Sequence, residues 1–214
     1  MDHDEEFPQL RTDETFLHAS EESDWAEVAS LAWKNDWSML AQSFFDSADI
    51  LVTTALGDRE GRSDPMSVIA PALYLYRHAL ELQLKAVQKV GEDYDGEVGP
   101  RRGHFLMPLW KQVRDYMERH FGWQDEAYDT IELNIQLLDE LDEKSMVFRY
   151  PDEGLPPGAE RLELDLRQLR RVFRGIHPWL AGVWDARDAE LEMAAEMAAD
   201  YGPDFSDDVG YEGL

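Results

Sequence analysis

The sequence contains no cysteine, only five lysines beside fifteen arginines, and no long run of apolar residues. Without cysteine there is no disulfide framework, no thiolate zinc site and no cysteine nucleophile. A transmembrane helix needs about 18 or more apolar residues in succession, so none is expected. Four familiar catalytic or phosphate-binding signatures are also missing: GxxxxGK[ST], GxGxxG, HExxH and GxSxG. The six histidines are scattered, with no pair at metal-ligand spacing. ELDEKS and DLRQ carry carboxylates at helical spacing but lack the ExxH of a di-iron bundle. Metal-centred and acyl-transfer chemistry are therefore not expected, and no cofactor is implied.

Basic residues are scarce overall. Forty-six acids face twenty bases, giving a net charge of −26, with a pI near 4.4. Such a field repels nucleic acid at long range and offers no polybasic anchor for a membrane. Three readings fit it: a solubility or salt-adapted surface, acidic ends that embrace a basic partner, and a mimic of the DNA backbone. The opening MDHDEEFPQL lacks the basic-then-apolar order of a secretory signal, so a cytoplasmic protein is expected.

What is present is enough for a core. The 214 residues are 43% hydrophobic and include seven tryptophans, which excludes a wholly disordered chain. The acids are heaped at the termini, suggesting an N-terminal extension over 1–22, a helical domain over 23–187 and a C-terminal tail over 188–214. The last dozen residues are rich in Gly, Asp and Pro and are expected to be disordered.

Hydrophobic periodicity predicts five or six helices and almost no sheet. A short helix is expected from Ser23 through Trp33. A longer one begins at Asp36, with Trp37, Leu40, Ala41, Phe44, Ala48 and Leu51 on its stripe. The next starts at Pro65 or Pro71 and stops at Gly91. A third spans His104 to His120, and a fourth spans Gln124 to Glu143. A short extended piece around Leu162 and Leu164 precedes a last core helix capped by Asp165 and bent at Pro178. Short links between long amphipathic helices predict an all-α, up-and-down bundle of four to five helices.

One segment breaks the apolar pattern. In YLYRHALELQLKAV, residues 74–87, Arg77, Glu81 and Lys85 form an i, i+4, i+8 row, with His78 beside them. If exposed, such a row is a salt-bridge ladder worth about 0.2–0.5 kcal/mol per pair. If buried, every member needs a partner, which argues for a specific task. Two further clusters stand out: GHFLMPLW at 103–110 and SMVFRYP at 145–151.

RHALELQLKAV, then a Gly-rich loop running into GHFLMPLW, then a helix ending in FRYPDEG, together resemble the HEPN superfamily of four- to five-helix bundles. The resemblance covers residues 37 to 183 and leaves both acidic ends outside it. It implies nucleotide or RNA binding, metal-independent ribonuclease activity, a toxin–antitoxin or phage-defence setting, and a homodimer. Catalytic members use an R-x(4–6)-H motif. Arg114 with His120, Arg170 or Arg171 with His177, and Arg11 with His18 match that spacing, all outside the three clusters.

The clusters themselves supply a second candidate site. If the helices pack together, Arg77, His78, His104 and Arg149 converge as candidate catalytic residues, and Glu81, Lys85 and Tyr150 as candidate nucleotide-binding residues. Histidine can move a proton near neutral pH, arginine can stabilise a transferring phosphate, and an RNA 2′-hydroxyl supplies the nucleophile. A structural reading stands beside this one: His104 would cap a helix, and Arg149 would tie the proline-rich loop to the bundle. The other functional reading is a non-catalytic adaptor whose acidic ends bind a basic protein; on the toxin reading the protein partner would be an antitoxin.

Overall fold

A computed structural model describes residues 36–57, 64–95, 103–122, 127–159 and 163–200. All of them belong to the second of two units, Met1–Trp33 and Lys34–Leu214. The helix expected from Ser23 to Trp33, and Leu162, lie outside the described residues. Among the described residues five helices form an all-α, up-and-down bundle: α1 (Trp37–Gly57), α2 (Pro65–Asp95), α3 (Leu106–Phe121), α4 (Ala127–Leu141) and α5 (Leu166–Asp200). Among the described residues there is no strand, Glu163–Asp165 included, and no helix long and apolar enough to cross a membrane.

Aspartates start three of these helices. Asp36 Oδ1 accepts from the amides of Ser38 and Met39, Asp64 Oδ1 from Met66, and Asp165 Oδ1 from Arg167 and Gln168. Each satisfies amides that have no partner inside their own helix. The buried stripe of α1 is Ala41, Phe45, Ala48, Val52 and Ala55. It is turned by one residue from the expected face, leaving Phe44 and Leu51 half-buried at its edge.

Helix α2 is the centre of the bundle. It packs against α1, α3 and α5, while α4 joins through α3. From Ala79 to Gln88 every residue is buried, on all faces of the helix. Leu80, Leu84, Val87 and Val90 supply its apolar contacts, and Arg77, Glu81, Gln83, Lys85 and Gln88 its buried polar ones. Gly91 does not end the helix, which continues to Asp95. A Cβ at Gly91 would stand 3.0 Å from the Tyr116 ring, so this glycine serves the close approach of α2 and α3.

The expected inward face of α3 is fully buried, from Leu106 through Trp110 to Met117. Trp110 packs edge-on to Tyr128 of α4 and beside Trp179 of α5, with ring centroids 5.9 and 6.2 Å away. Its Nε1 donates to Glu132 at 3.0 Å, so the indole is both packed and hydrogen-bonded. Helix α5 runs through Pro178 and across the expected boundary at 187 to reach Asp200.

Candidate functional site

The polar row of α2 is buried. Arg77 has 0% exposure, and its guanidinium is taken up by protein oxygens. Nε donates to Asp142 O (2.8 Å), Nη1 to Glu81 Oε2 (3.3 Å), and Nη2 to His104 O (2.6 Å) and Glu143 O (3.1 Å). The acceptors belong to α2, to the approach to α3 and to the turn after α4. One side chain thus takes up two carbonyls at the C-terminal end of α4, which have no partner inside that helix, and a third from the approach to α3.

The turn is built to meet it. Asp142 Oδ1 accepts from the amides of Met146 and Val147 at 2.6 and 2.9 Å, and Ser145 takes a left-handed φ of 59°. Asp139 caps α3 from a neighbouring helix, its carboxylate accepting from Leu106 N and Met107 N at 3.0 and 3.3 Å. His104 was expected in that capping role. Instead the N-cap position is Phe105, without a side-chain cap, and His104 turns to Glu81.

Glu81 is the junction. Its Oε1 lies 2.6 Å from Lys85 Nζ and 2.8 Å from His104 Nδ1. Burial alone would raise the pKa of this carboxyl. The hydrogen bond and charge of Lys85, with the bond to His104, outweigh it and hold the pKa below its ordinary value. The ionised carboxylate only accepts, so Nδ1 carries the hydrogen of this bond, and the lone pair of a neutral imidazole would sit on Nε2. The Glu81 side chain is 2% exposed and that of His104 63%, so the carboxylate is enclosed while the imidazole reaches the surface. A carboxylate holding one imidazole nitrogen while the other is free is the arrangement of a general base.

A second group lies beside the first because His78 follows Arg77 on α2. His78 stacks on Tyr74 (5.7 Å, 11°) and meets the edge of Phe44 from α1 at 4.5 Å. Burial lowers its pKa, opposed by the charge of Glu81 and helped by the charges of Lys85 and Arg77. Arg149 reaches from the loop, its guanidinium 5.5 Å from the Tyr74 ring and 5.3 Å from the Tyr150 ring. Its Nε donates to Ser145 O at 2.6 Å, and Nη2 contacts the Met146 sulfur at 3.1 Å.

The seven nominated residues therefore fall into two adjoining sets. Arg77, Glu81, Lys85 and His104 are one hydrogen-bonded chain; His78 and Arg149 are joined through the Tyr74 ring, and Tyr150 through Arg149. Sequence reasoning missed Asp139 and Asp142, whose spacing in DELDEK was the available signal, and Tyr74, the rung between His78 and Arg149.

The R-x(4–6)-H pairs lie elsewhere. Arg114 is bound to Glu118 (2.9 Å) and Glu132 (2.8 Å) and lies over Tyr128, while His120 is exposed beside Tyr116. His177 is buried against Phe45, with its ring nitrogens 3.1 and 2.7 Å from the oxygens of Gln83 and Gln42. Arg170 pairs with Asp49 through two bonds at 2.7 and 3.0 Å, and Arg171 is exposed. Arg11 and His18 lie outside the described residues. Among the described residues no group of three potential ligands is placed to hold a metal ion.

The chain is thus an all-helical bundle with a carboxylate–imidazole pair at the end of a buried charge network. No family model, curated protein or solved structure matches it.

Proposed function

We propose that this protein binds RNA and cleaves it without a metal, with His104 as general base. The observation that carries the reading is the 2.8 Å bond from the buried Glu81 carboxylate to Nδ1 of a largely exposed His104. In this reading Nε2 takes the proton of a ribose 2′-hydroxyl, and the 2′-oxygen attacks the adjacent phosphorus. The 5′-oxygen leaves and takes a proton from solvent, because burial keeps His78 neutral near pH 7. The products are a 2′,3′-cyclic phosphate and a 5′-hydroxyl. Arg149 is the exposed cation for the phosphate, whereas Arg77 and Lys85 act through Glu81 as positioning residues. The HEPN-like order of the three segments supports the same reading, together with a toxin or defence role and a homodimer.

The test is RNA cleavage by the purified protein in the presence of a chelator. Loss of a general base lowers the rate by about 10²–10⁴-fold, which is the effect expected for His104→Ala. The Arg114→Gln/His120→Gln protein should retain activity. The opposite pattern would move the chemistry to α3 and overturn the assignment.

One observation favours a second reading, a non-catalytic adaptor. Near the end of α5, Met193 and Met197 lie one turn apart and exposed, flanked by the exposed Glu192 and Glu196. An apolar stripe bordered by acids suits a basic amphipathic partner.

A further inference from the structure

The rings beside the network form a ladder that runs outward from the core. Phe44 meets His78 edge to face, His78 stacks on Tyr74, and Arg149 lies over both Tyr74 and Tyr150. Inward, the ladder rests on α1 and α2, since Phe44 and Tyr74 are half-buried. Outward it ends at Tyr150, which is 47% exposed. Two elements therefore hold a planar cation between two rings at the surface, and the last rung is open to solvent.

Arg149 differs from the ion-paired arginines of the bundle. Arg114, Arg119, Arg170 and Arg174 each lie within 4.0 Å of a carboxylate. Arg149, like Arg167 and Arg171, has no carboxylate partner among the described residues, but of these three it is the one that lies over aromatic rings. Its Nε and Nη2 are engaged by Ser145 O and the Met146 sulfur, which leaves Nη1 for an outside acceptor. An anion with an attached flat ring satisfies both features: the ring continues the stack, and the anion takes Nη1.

We infer that Tyr150 and Arg149 form a subsite for one unpaired nucleotide of single-stranded RNA, the base stacking on Tyr150 and its phosphate bonding Arg149. This rests on the RNA reading above and adds the form of RNA selected. A base inside a duplex has both faces covered by its neighbours, so only an unpaired base can stack on the tyrosine. The net charge of −26 removes long-range attraction, so short-range stacking carries the binding. A single phosphate contact gives a shallow salt dependence, with a log–log slope of about −0.7.

The experiment uses the full chain and a short RNA carrying 2-aminopurine, offered single-stranded and again within a hairpin stem. Quenching of the probe reports stacking, and titration gives affinity. The single strand should quench and bind more tightly than the stem. Tyr150→Ala should weaken it by about tenfold or more, Arg149→Gln should weaken it as well, and Tyr150→Trp should restore it. Tyr150 is exposed, so an unchanged melting temperature would show that these variants fold.

The outcomes separate the two readings. Binding that depends on Tyr150 but without cleavage would keep the subsite and remove the catalytic reading. Cleavage lost in His104→Ala but untouched in affinity by Tyr150→Ala would keep the catalytic reading and overturn the subsite. Equal binding of stem and single strand would overturn the subsite, and no binding of either RNA would overturn both.

Discussion

Arg77 and Glu81 are both removed from solvent and depend on each other and on their neighbours for partners. A cation with 0% exposure survives only because four oxygens replace its hydration, and removing one partner of such a network costs about 3–5 kcal/mol. Arg77→Gln should show that loss in urea unfolding near pH 7. Glu81 adds a pH dependence with a definite sign. Its folded pKa lies below the ordinary 4.5, so its pairing stabilises fully above that value and fades as pH falls through the folded pKa. Repeating the unfolding at descending pH should therefore show stability falling below about pH 4.5, with a shallower fall in Glu81→Gln. An Arg77→Gln protein as stable as the wild type would remove the structural role given to this network.

Glycine separates two kinds of helix position. At Gly91 an added Cβ would meet the Tyr116 ring at 3.0 Å, whereas at Gly175 of α5 nothing lies within 4 Å. Alanine at an open, exposed helical site reduces unfolded-chain entropy and stabilises by about 0.4–1 kcal/mol. Gly175→Ala should thus raise the melting temperature, and Gly91→Ala should lower it by forcing α2 from α3. Equal effects would mean that this approach does not limit packing. The same pair explains one misreading. A glycine at the end of an amphipathic run reads locally as a C-cap, and only the ring of Tyr116, 25 positions away, assigns Gly91 to packing.

Across the whole molecule, 46 acids against 20 bases impose a self-repulsion that salt screens. The Debye length shrinks from about 30 Å at 0.01 M to about 3 Å at 1 M. The melting temperature should therefore rise over that range, because the Arg77–Glu81–Lys85 network is buried and screened far less. A falling melting temperature would instead place the dominant electrostatics in exposed pairs such as Arg119–Asp115.

Helix number and most buried faces were legible in the sequence because apolar periodicity is a local property. Leu106 to Met117 of α3 and Phe173 to Val183 of α5 lie inward where their spacing put them. The special character of the α2 row was legible too, since three charges in an apolar helix conflict with simple burial. Their partners were not legible. Arg77 bonds carbonyls 27 to 66 residues away, and a backbone carbonyl carries no mark in the sequence. His104 looked like a helix cap until Asp139, from another helix, took the α3 amides and left its ring to Glu81. The sequence by itself determined which segments become helices and which charges would need partners. Only the tertiary structure decided that one imidazole faces water while its carboxylate does not, because exposure depends on every chain segment packed around a residue.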